Sequence, residues 1–174
     1  LDEKIKELAR EQEDYVIKMR RYFHENPEAS MKEKNTCEVI KRELDQMGLP
    51  YELVGDYGII GRLETGRPGQ TLLLRSDMDA LPVREESGEP FASENGCMHA
   101  CGHDMHTTTL LGAAKLLKSH ERELKGTVKL LFQSAEETFQ GAKAAVDAGV
   151  LENPRVDAAF AMHVAPNSEN KKII

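Results

Sequence analysis

Apolar and charged residues alternate with the period of an α-helix over the first part of the chain. One amphipathic helix is predicted from the apolar positions Ile5, Leu8, Ala9, Val16, Met19 and Phe23. The pair Asn26-Pro27 ends this helix, because proline disfavours helical backbone in the residue before it. Ser30 and Glu33 then form a capping-box pattern, so we expect a second helix that runs to Met47 and is closed by Gly48.

After Pro50 the pattern changes to short apolar runs that are typical of strands. We expect five extended segments, at residues 51–54, 58–63, 71–75, 127–132 and 156–162. The turn-rich stretch between the second and third is typical of an antiparallel pair. Helices are expected after Asp104 and at 139–148. Because strands and helices alternate from the third strand onward, we predict an α/β fold: a mixed, mostly parallel sheet with helices on both faces.

Charge and cysteine content limit the class of partner. The 174 residues carry a net charge of −7, which argues against nucleic acid as a partner. No apolar run approaches the roughly 18 residues of a membrane span, so no membrane partner is expected. The three cysteines (Cys37, Cys97 and Cys101) are widely spaced and form no disulfide framework, which favours a cytoplasmic location.

Polar residues follow the last three predicted strands, at the point where each strand ends. Ser76 to Asp79 follow the third strand, Gln133 to Glu137 follow the fourth, and His163 follows the fifth. In open α/β sheets, ligands bind in the crevice beyond the carboxyl ends of the strands. The segment from Cys101 to Asp104 precedes a helix and can reach the same edge. We therefore expect these four clusters to meet in one site.

A thiol, two imidazoles and adjacent carboxylates suit a divalent metal ion that activates water. Cys101 as thiolate and His103 as neutral imidazole can bind the ion, with Glu137 and His163 as further ligands. Glu136 is suited to be the general base, since successive side chains point apart. Zn²⁺, Co²⁺ or Ni²⁺ fits these ligands better than Mg²⁺ or Ca²⁺, and Mn²⁺ is also compatible with them.

The same residues allow other interpretations. Asp77 and Asp79 can cap a turn or orient a histidine. Cys101 can instead be the nucleophile of a cysteine amidase, activated by His99 or His103. A third hypothesis is that the chain is not catalytic and serves as a binding module.

Three further histidines lie near the predicted site or at the end of the first helix. His99 and His106 flank the segment from Cys101 to Asp104 and can be ligands, but we interpret both as residues at the rim of the site or behind the ligands. His24 lies where the first helix ends, and there an imidazole needs no function beyond meeting the helix dipole.

Five short segments carry the most specific pattern of the chain: Arg21–Glu28, Arg75–Pro82, Met98–Asp104, Ala135–Glu137 and Met162–Val164. Together they resemble the metal-dependent amidohydrolases and peptidases related to aminoacylase. Within that family the similarity is greatest to hippurate hydrolase, the N-acyl-amino-acid amidohydrolases and the plant auxin-conjugate (IAA-amino acid) hydrolases. The resemblance runs in order from about residue 22 to residue 166, and Cys-Gly-His-Asp is its most discriminating part.

The resemblance implies a site with two divalent metal ions. Cys101 would bridge both ions, His103 and His163 would complete one site, and Glu137 would serve the other. The remaining two positions would act without binding metal: Glu136 as the general base, and Asp79 as a carboxylate close to the ions. The implied reaction is hydrolysis of the amide bond of an N-acyl amino acid or small peptide by a metal-bound water.

The resemblance also implies that this chain is the first part of a longer enzyme. Residues 1–166 would be the N-terminal part of the catalytic domain, and residues 167–174 would be an atypical tail. A lid or dimerisation domain and a C-terminal catalytic segment would be absent, and the complete protein is expected to be a homodimer through that lid. We expect these residues alone to bind at most one metal ion tightly and to be a poor catalyst.

Overall fold

A five-stranded mixed sheet forms the centre of the structure, a computed structural model that describes residues 2–165. The strands are β1 (Tyr51–Val54), β2 (Gly58–Glu64), β3 (Thr71–Asp77), β4 (Thr127–Gln133) and β5 (Ala158–Ala161). Their order across the sheet is β1-β2-β4-β3-β5. The pairs β1–β2 and β2–β4 are antiparallel, whereas β3 is parallel to both β4 and β5. The predicted α/β class with a mixed sheet is confirmed.

Five α-helices accompany the sheet within residues 2–165: α1 (Asp2–Arg10), α2 (Glu13–Glu25), α3 (Lys34–Met47), α4 (His103–Ser119) and α5 (Gly141–Asp147). The single helix predicted at the start of the chain is two helices, because a turn at Glu11-Gln12 interrupts it. The second predicted helix ends at Gly48 as expected, since this glycine has a left-handed φ of 65°. The predicted tail at 167–174, and residue 166 before it, lie outside the described residues.

Helices cover both faces of the sheet because successive strand residues point to opposite sides. On one face α2, α3 and α4 pack over the strands, in a core that includes Phe23, Ile40, Leu44, Ile59, Leu111, Leu130 and Phe132. On the other face α5 contributes Ala145 to a smaller core with Val54, Ile60, Leu73, Leu131 and Val150. The sheet is therefore the middle of three layers. No helix in the described part of the chain is long and apolar enough to cross a membrane.

The predicted antiparallel pairing of β2 with β3 is wrong, because β4 lies between them. The connection between β2 and β3 instead passes around the start of β4. Its backbone pairs there with Gly126, which donates to the carbonyl of Arg67 over 2.9 Å and accepts from the amide of Thr65 over 3.2 Å. The closeness of the two segments requires glycine, since a Cβ at Gly126 would lie 2.1 Å from the carbonyl oxygen of Gln70.

The parallel strands β4, β3 and β5 bring their carboxyl ends to one edge of the sheet. Asp77 is the last residue of β3, Gln133 is the last of β4, and Ala161 is the last of β5. The polar residues that follow these strands therefore start from neighbouring points, which is the arrangement that the sequence predicted.

Gly126→Ala should destabilise the protein more than Gly66→Ala. Both glycines have a left-handed φ, of 77° and 69°, so alanine costs about 1–2 kcal/mol at either position. Only Gly126 adds a steric clash, because nothing lies within 4 Å of a Cβ at Gly66. Urea unfolding of the two variants measures the difference. Equal losses of stability would contradict the close approach of the β2–β3 connection to β4.

Candidate metal centre

The residues that the sequence predicted for the site come together at the carboxyl edge of β4, β3 and β5. Asp79 follows β3, the pair Glu136-Glu137 follows β4, and His163 follows β5. Cys101 and His103 arrive from the other side of the crevice, at the N-terminus of α4. Ligand atoms of Cys101, His103 and Glu137 all lie within 4.8 Å of one another. His163 joins them through Cys101, whose Sγ lies 3.4 Å from its Nε2.

The backbone oxygen of Asp79 fixes the proton on Nδ1 of His103. Its Nδ1 lies 2.9 Å from the backbone oxygen of Asp79, and an oxygen can only accept, so Nδ1 carries the proton. Nε2, the other ring nitrogen, faces three carboxylates at 3.8 Å each, from Asp77, Glu136 and Glu137. That distance is too long for hydrogen bonds, and the ring is 0% exposed to solvent.

The pKa values of His103 and of the Cys101 thiol are both raised. Burial alone lowers the pKa of His103, but its hydrogen bond to Asp79 and the charges of Asp77 and Glu137 outweigh burial and raise it. Burial and the neighbouring carboxylate of Glu137 raise the pKa of the Cys101 thiol to about 11. The carboxylates near both side chains contribute to these shifts, and a proton or a metal ion can neutralise their charge.

A divalent cation fits these residues. Two buried atoms that face the centre, Nε2 of His103 and Oε1 of Glu137, have no hydrogen-bond partner within the described part of the chain. Unpartnered buried polar atoms are costly, and a cation would satisfy both at once. A sulfur, an imidazole nitrogen and a carboxylate oxygen are the kinds of ligand that bind Zn²⁺ and similar ions.

The surroundings of Cys101 do not favour the alternative of a cysteine nucleophile. A nucleophilic cysteine needs cationic neighbours that lower its pKa. Burial and the neighbouring carboxylates of Glu137 and Glu136 instead raise the pKa of Cys101 to about 11. His99, one of the two proposed activators, is buried, and neither of its ring nitrogens has a hydrogen-bond partner within residues 2–165, so it does not pair with the thiol.

Asp79 organises the loops on both sides of the centre. Its Oδ2 accepts the hydroxyl of Ser30 over 2.6 Å and the backbone amide of Glu137 over 3.0 Å. Burial alone raises the pKa of Asp79, but the hydrogen bonds from His103, Ser30 and Glu137 outweigh it and lower the pKa. Asp79 therefore remains an acceptor that ties the β3 end to the β4 end.

Glu33 holds the same loop from the opposite side and was not predicted as a site residue. Its Oε1 accepts the backbone amide of Ala135 over 2.8 Å, and its side chain is fully buried. Ala135 has a left-handed φ of 51°, which an alanine adopts only when its surroundings stabilise it. The sequence predicts a capping box at Ser30 and Glu33, but neither residue caps α3 through its side chain. Both side chains serve the site instead.

His24 is another residue whose role the sequence missed. The predicted role of His24, an interaction with the helix dipole, is incomplete, because its ring is buried between two carboxylates. Its Nδ1 lies 2.7 Å from Asp104 and its Nε2 lies 2.8 Å from Glu85. Because Glu85 belongs to the long loop before α4 and Asp104 to the first turn of α4, His24 fixes that loop beside the centre.

A second group of ligand atoms overlaps the first. Side-chain atoms of Asp77, His103, His106 and His163 also lie within 4.8 Å of one another. Asp77 Oδ1 lies 2.6 Å from Nδ1 of His106, and its Oδ2 accepts from Arg75 over 2.7 Å. Burial alone raises the pKa of Asp77, but its hydrogen bond to His106 and the charges of His103 and Arg75 lower it to about 2.

Comparison with known proteins gives relatives over most of the chain. IAA-amino acid hydrolase ILR1-like 5 of Arabidopsis thaliana is 52% identical over 154 residues, which are 87% of this chain and 35% of the relative. Thermostable carboxypeptidase 2 of Saccharolobus solfataricus is 43% identical over 170 residues, which are 95% of this chain and 43% of the relative. A crystal structure of the Bacillus subtilis YXEP protein, described as a dinuclear metal binding peptidase from the M20 family, has a TM-score of 0.84 and 41% identity. It covers 93% of this chain and 45% of that protein.

The sequence of residues 73–174, more than half of the chain, matches peptidase family M20/M25/M40. The chain therefore belongs to this family, and the resemblance that its motifs indicated is confirmed. It spans less than half the length of the relatives described above.

Glu33→Ala should destabilise the protein by about 1–3 kcal/mol, because the buried amide of Ala135 loses its acceptor. Glu33→Gln keeps an acceptor oxygen and should lose less. Burial raises the pKa of Glu33, so the folded state holds this proton more tightly than the unfolded chain. The stability of the wild type relative to Glu33→Gln should therefore fall as the pH rises through the carboxyl range. Urea unfolding of the metal-free protein measures both effects, and equal stability of the two variants would refute the role of Glu33.

Proposed function

We propose that the protein is a metal-dependent hydrolase of the amide bond in N-acyl amino acids or small peptides. The observation that carries this proposal is Nε2 of His103, which is buried, has no hydrogen-bond partner within residues 2–165, and faces three carboxylates at 3.8 Å. The names of the relatives support the same class of reaction, since one is an amino-acid conjugate hydrolase and another is a carboxypeptidase.

The proposed ligands are Cys101, His103, Glu137 and His163, with Cys101 shared between two divalent ions. A dinuclear site in the similar Bacillus subtilis protein supports this number. His103 and His163 each present Nε2, because Nδ1 of His163 donates to the backbone oxygen of Val164 over 2.7 Å as Nδ1 of His103 does to Asp79. Zn²⁺ is proposed first for this set of ligands, and Mn²⁺, Co²⁺ or Ni²⁺ are alternatives.

Glu136 is proposed as the general base. A divalent cation at the centre supplies Lewis acidity, which polarises a carbonyl oxygen and lowers the pKa of water. The Glu136 side chain is 31% exposed, compared with 20% for Glu137, so substrate and water can reach it, and its Oε2 lies 3.8 Å from Nε2 of His103. Glu136 would take a proton from the attacking water and return it to the leaving amine. Asp79 would act by orienting His103 and the Glu137 backbone.

The wider context of the complete protein is also a proposal. We propose a cytoplasmic enzyme that forms a homodimer through a lid domain. Its substrate would be a small N-acyl amino acid or peptide, and the identity of the acyl group would be set largely by segments beyond the 174 residues.

In the complete protein, Glu136→Gln should keep the metal content and lower turnover by about 10²-fold or more, because the amide cannot accept a proton. Metal content is measured by elemental analysis, and turnover on a panel of N-acetyl, N-benzoyl and indole-acyl amino acids and dipeptides. Glu64→Gln is the matched control, since Glu64 is exposed and pairs with Thr127 at the opposite edge of the sheet. EDTA should abolish the wild-type activity. Normal turnover by Glu136→Gln would remove this residue as the base, and activity that resists EDTA would contradict the proposed metal.

A further inference from the structure

A buried chain of hydrogen bonds connects the end of β3 to the segment that carries His163. It begins at Arg75, passes through Asp77 and His106, and ends at the backbone amide of Val164, which donates to Nε2 of His106 over 2.9 Å. Asp77 is fully buried and His106 is 4% exposed, so the central bond between them is shielded from water, whereas the bonds at Arg75 and Val164 are partly buried.

The two ends of His106 fix its tautomer. An amide can only donate, so Nε2 of His106 must be the unprotonated acceptor toward Val164. Nδ1 then carries the proton and donates it to Oδ1 of Asp77 over 2.6 Å. Both ring nitrogens of His106 are thereby engaged. The overlapping group of Asp77, His103, His106 and His163 thus does not form a separate metal site, although its ligand atoms lie within 4.8 Å of one another.

The segment after β5 depends on this contact. β5 is a four-residue strand that pairs with β3 along one side, and its residues are exposed. Val164 is held by His106 and also packs on α4, because a Cβ at Gly102 would lie 2.5 Å from its Cγ2. His163 precedes Val164 directly, and its ring lies 4.5 Å from that of His106 between centroids.

We propose that Asp77 and His106 are positioning residues that hold the Val164 backbone and so direct Nε2 of His163 toward Cys101. The proposal rests on the proposed metal centre, in which His163 is a ligand. It assigns His106 a role through the main chain, unlike a histidine that binds the ion itself. If the acceptor for Val164 is lost, the His163 backbone is free to move, and the 3.4 Å approach of its Nε2 to the Cys101 sulfur is no longer maintained.

Two substitutions of His106 distinguish the contribution of its Nδ1, which binds Asp77, from that of its Nε2, which binds Val164. In His106→Gln the amide oxygen can reach the position of Nε2 and still accept from Val164. In His106→Asn the shorter amide reaches only the position of Nδ1, so the bond to Asp77 can form and the bond to Val164 cannot. Both variants lose the aromatic ring, and their unfolding in urea controls for a general loss of stability.

The experiment combines NMR of the metal-free chain with zinc titration. In the wild type, ¹⁵N chemical shifts should show His106 protonated at Nδ1 alone, and the Val164 amide should be protected from hydrogen exchange. His106→Gln should keep that protection, whereas His106→Asn should accelerate exchange at Val164 at least about 10-fold. Zinc affinity, measured by competition with a chelator, should fall about 10- to 100-fold in His106→Asn and only a few-fold in His106→Gln.

The outcomes distinguish this inference from the proposed function. Zinc binding by the wild type with equal affinity in His106→Asn overturns the positioning role and leaves the metal centre intact. A His106 protonated at Nε2, or a Val164 amide that exchanges freely in the wild type, also overturns it. Failure of the wild type to bind zinc contradicts the proposed metal centre, and the NMR results then still decide whether His106 holds the Val164 backbone.

Discussion

The site depends on one hydrogen bond, from Nδ1 of His103 to the backbone oxygen of Asp79. It directs Nε2 of a completely buried ring toward the centre, and that nitrogen faces carboxylates rather than donors. The carboxylates of Asp77, Glu136 and Glu137 each lie 3.8 Å from it, and Arg75 compensates part of the charge of Asp77. Burial and the carboxylate of Glu137 raise the pKa of the Cys101 thiol to about 11. A bound cation would satisfy the nitrogen, the sulfur and the carboxylates together.

The fold supplies this arrangement through a few long-range contacts. The parallel strands β4, β3 and β5 bring three loops to one edge of the sheet. Cys101 and His103 reach the same edge from the N-terminus of α4. Two of these loops are held by a buried group from another part of the chain: Glu33 binds the amide of Ala135 after β4, and His106 binds the amide of Val164 after β5. The proposed ligands on these loops are thus placed by backbone contacts whose partners lie far away in sequence, and their geometry does not depend on loop conformation alone.

Much of this could be predicted from local pattern. The strands, their order along the chain and the polar residues at their ends follow from apolar runs and from the rule that ligands bind at the carboxyl edge. The insertion of β4 between β2 and β3 could not, because it rests on the long-range pairing of β4 with both strands. Ser30 and Glu33 match a local capping motif so well that their long-range partners were not evident. The hydrogen bonds of His24 and His106 could not be predicted either, because bonds to acids far away in the chain produce no recognisable spacing in the sequence.

The most direct test of the account is X-ray absorption spectroscopy of the chain loaded with one equivalent of Zn²⁺. The account predicts a sulfur neighbour at about 2.3 Å together with nitrogen or oxygen neighbours at about 2.0–2.1 Å, and loss of the sulfur signal in Cys101→Ser. A coordination shell of nitrogen and oxygen alone, or a sulfur signal that survives Cys101→Ser, would contradict it.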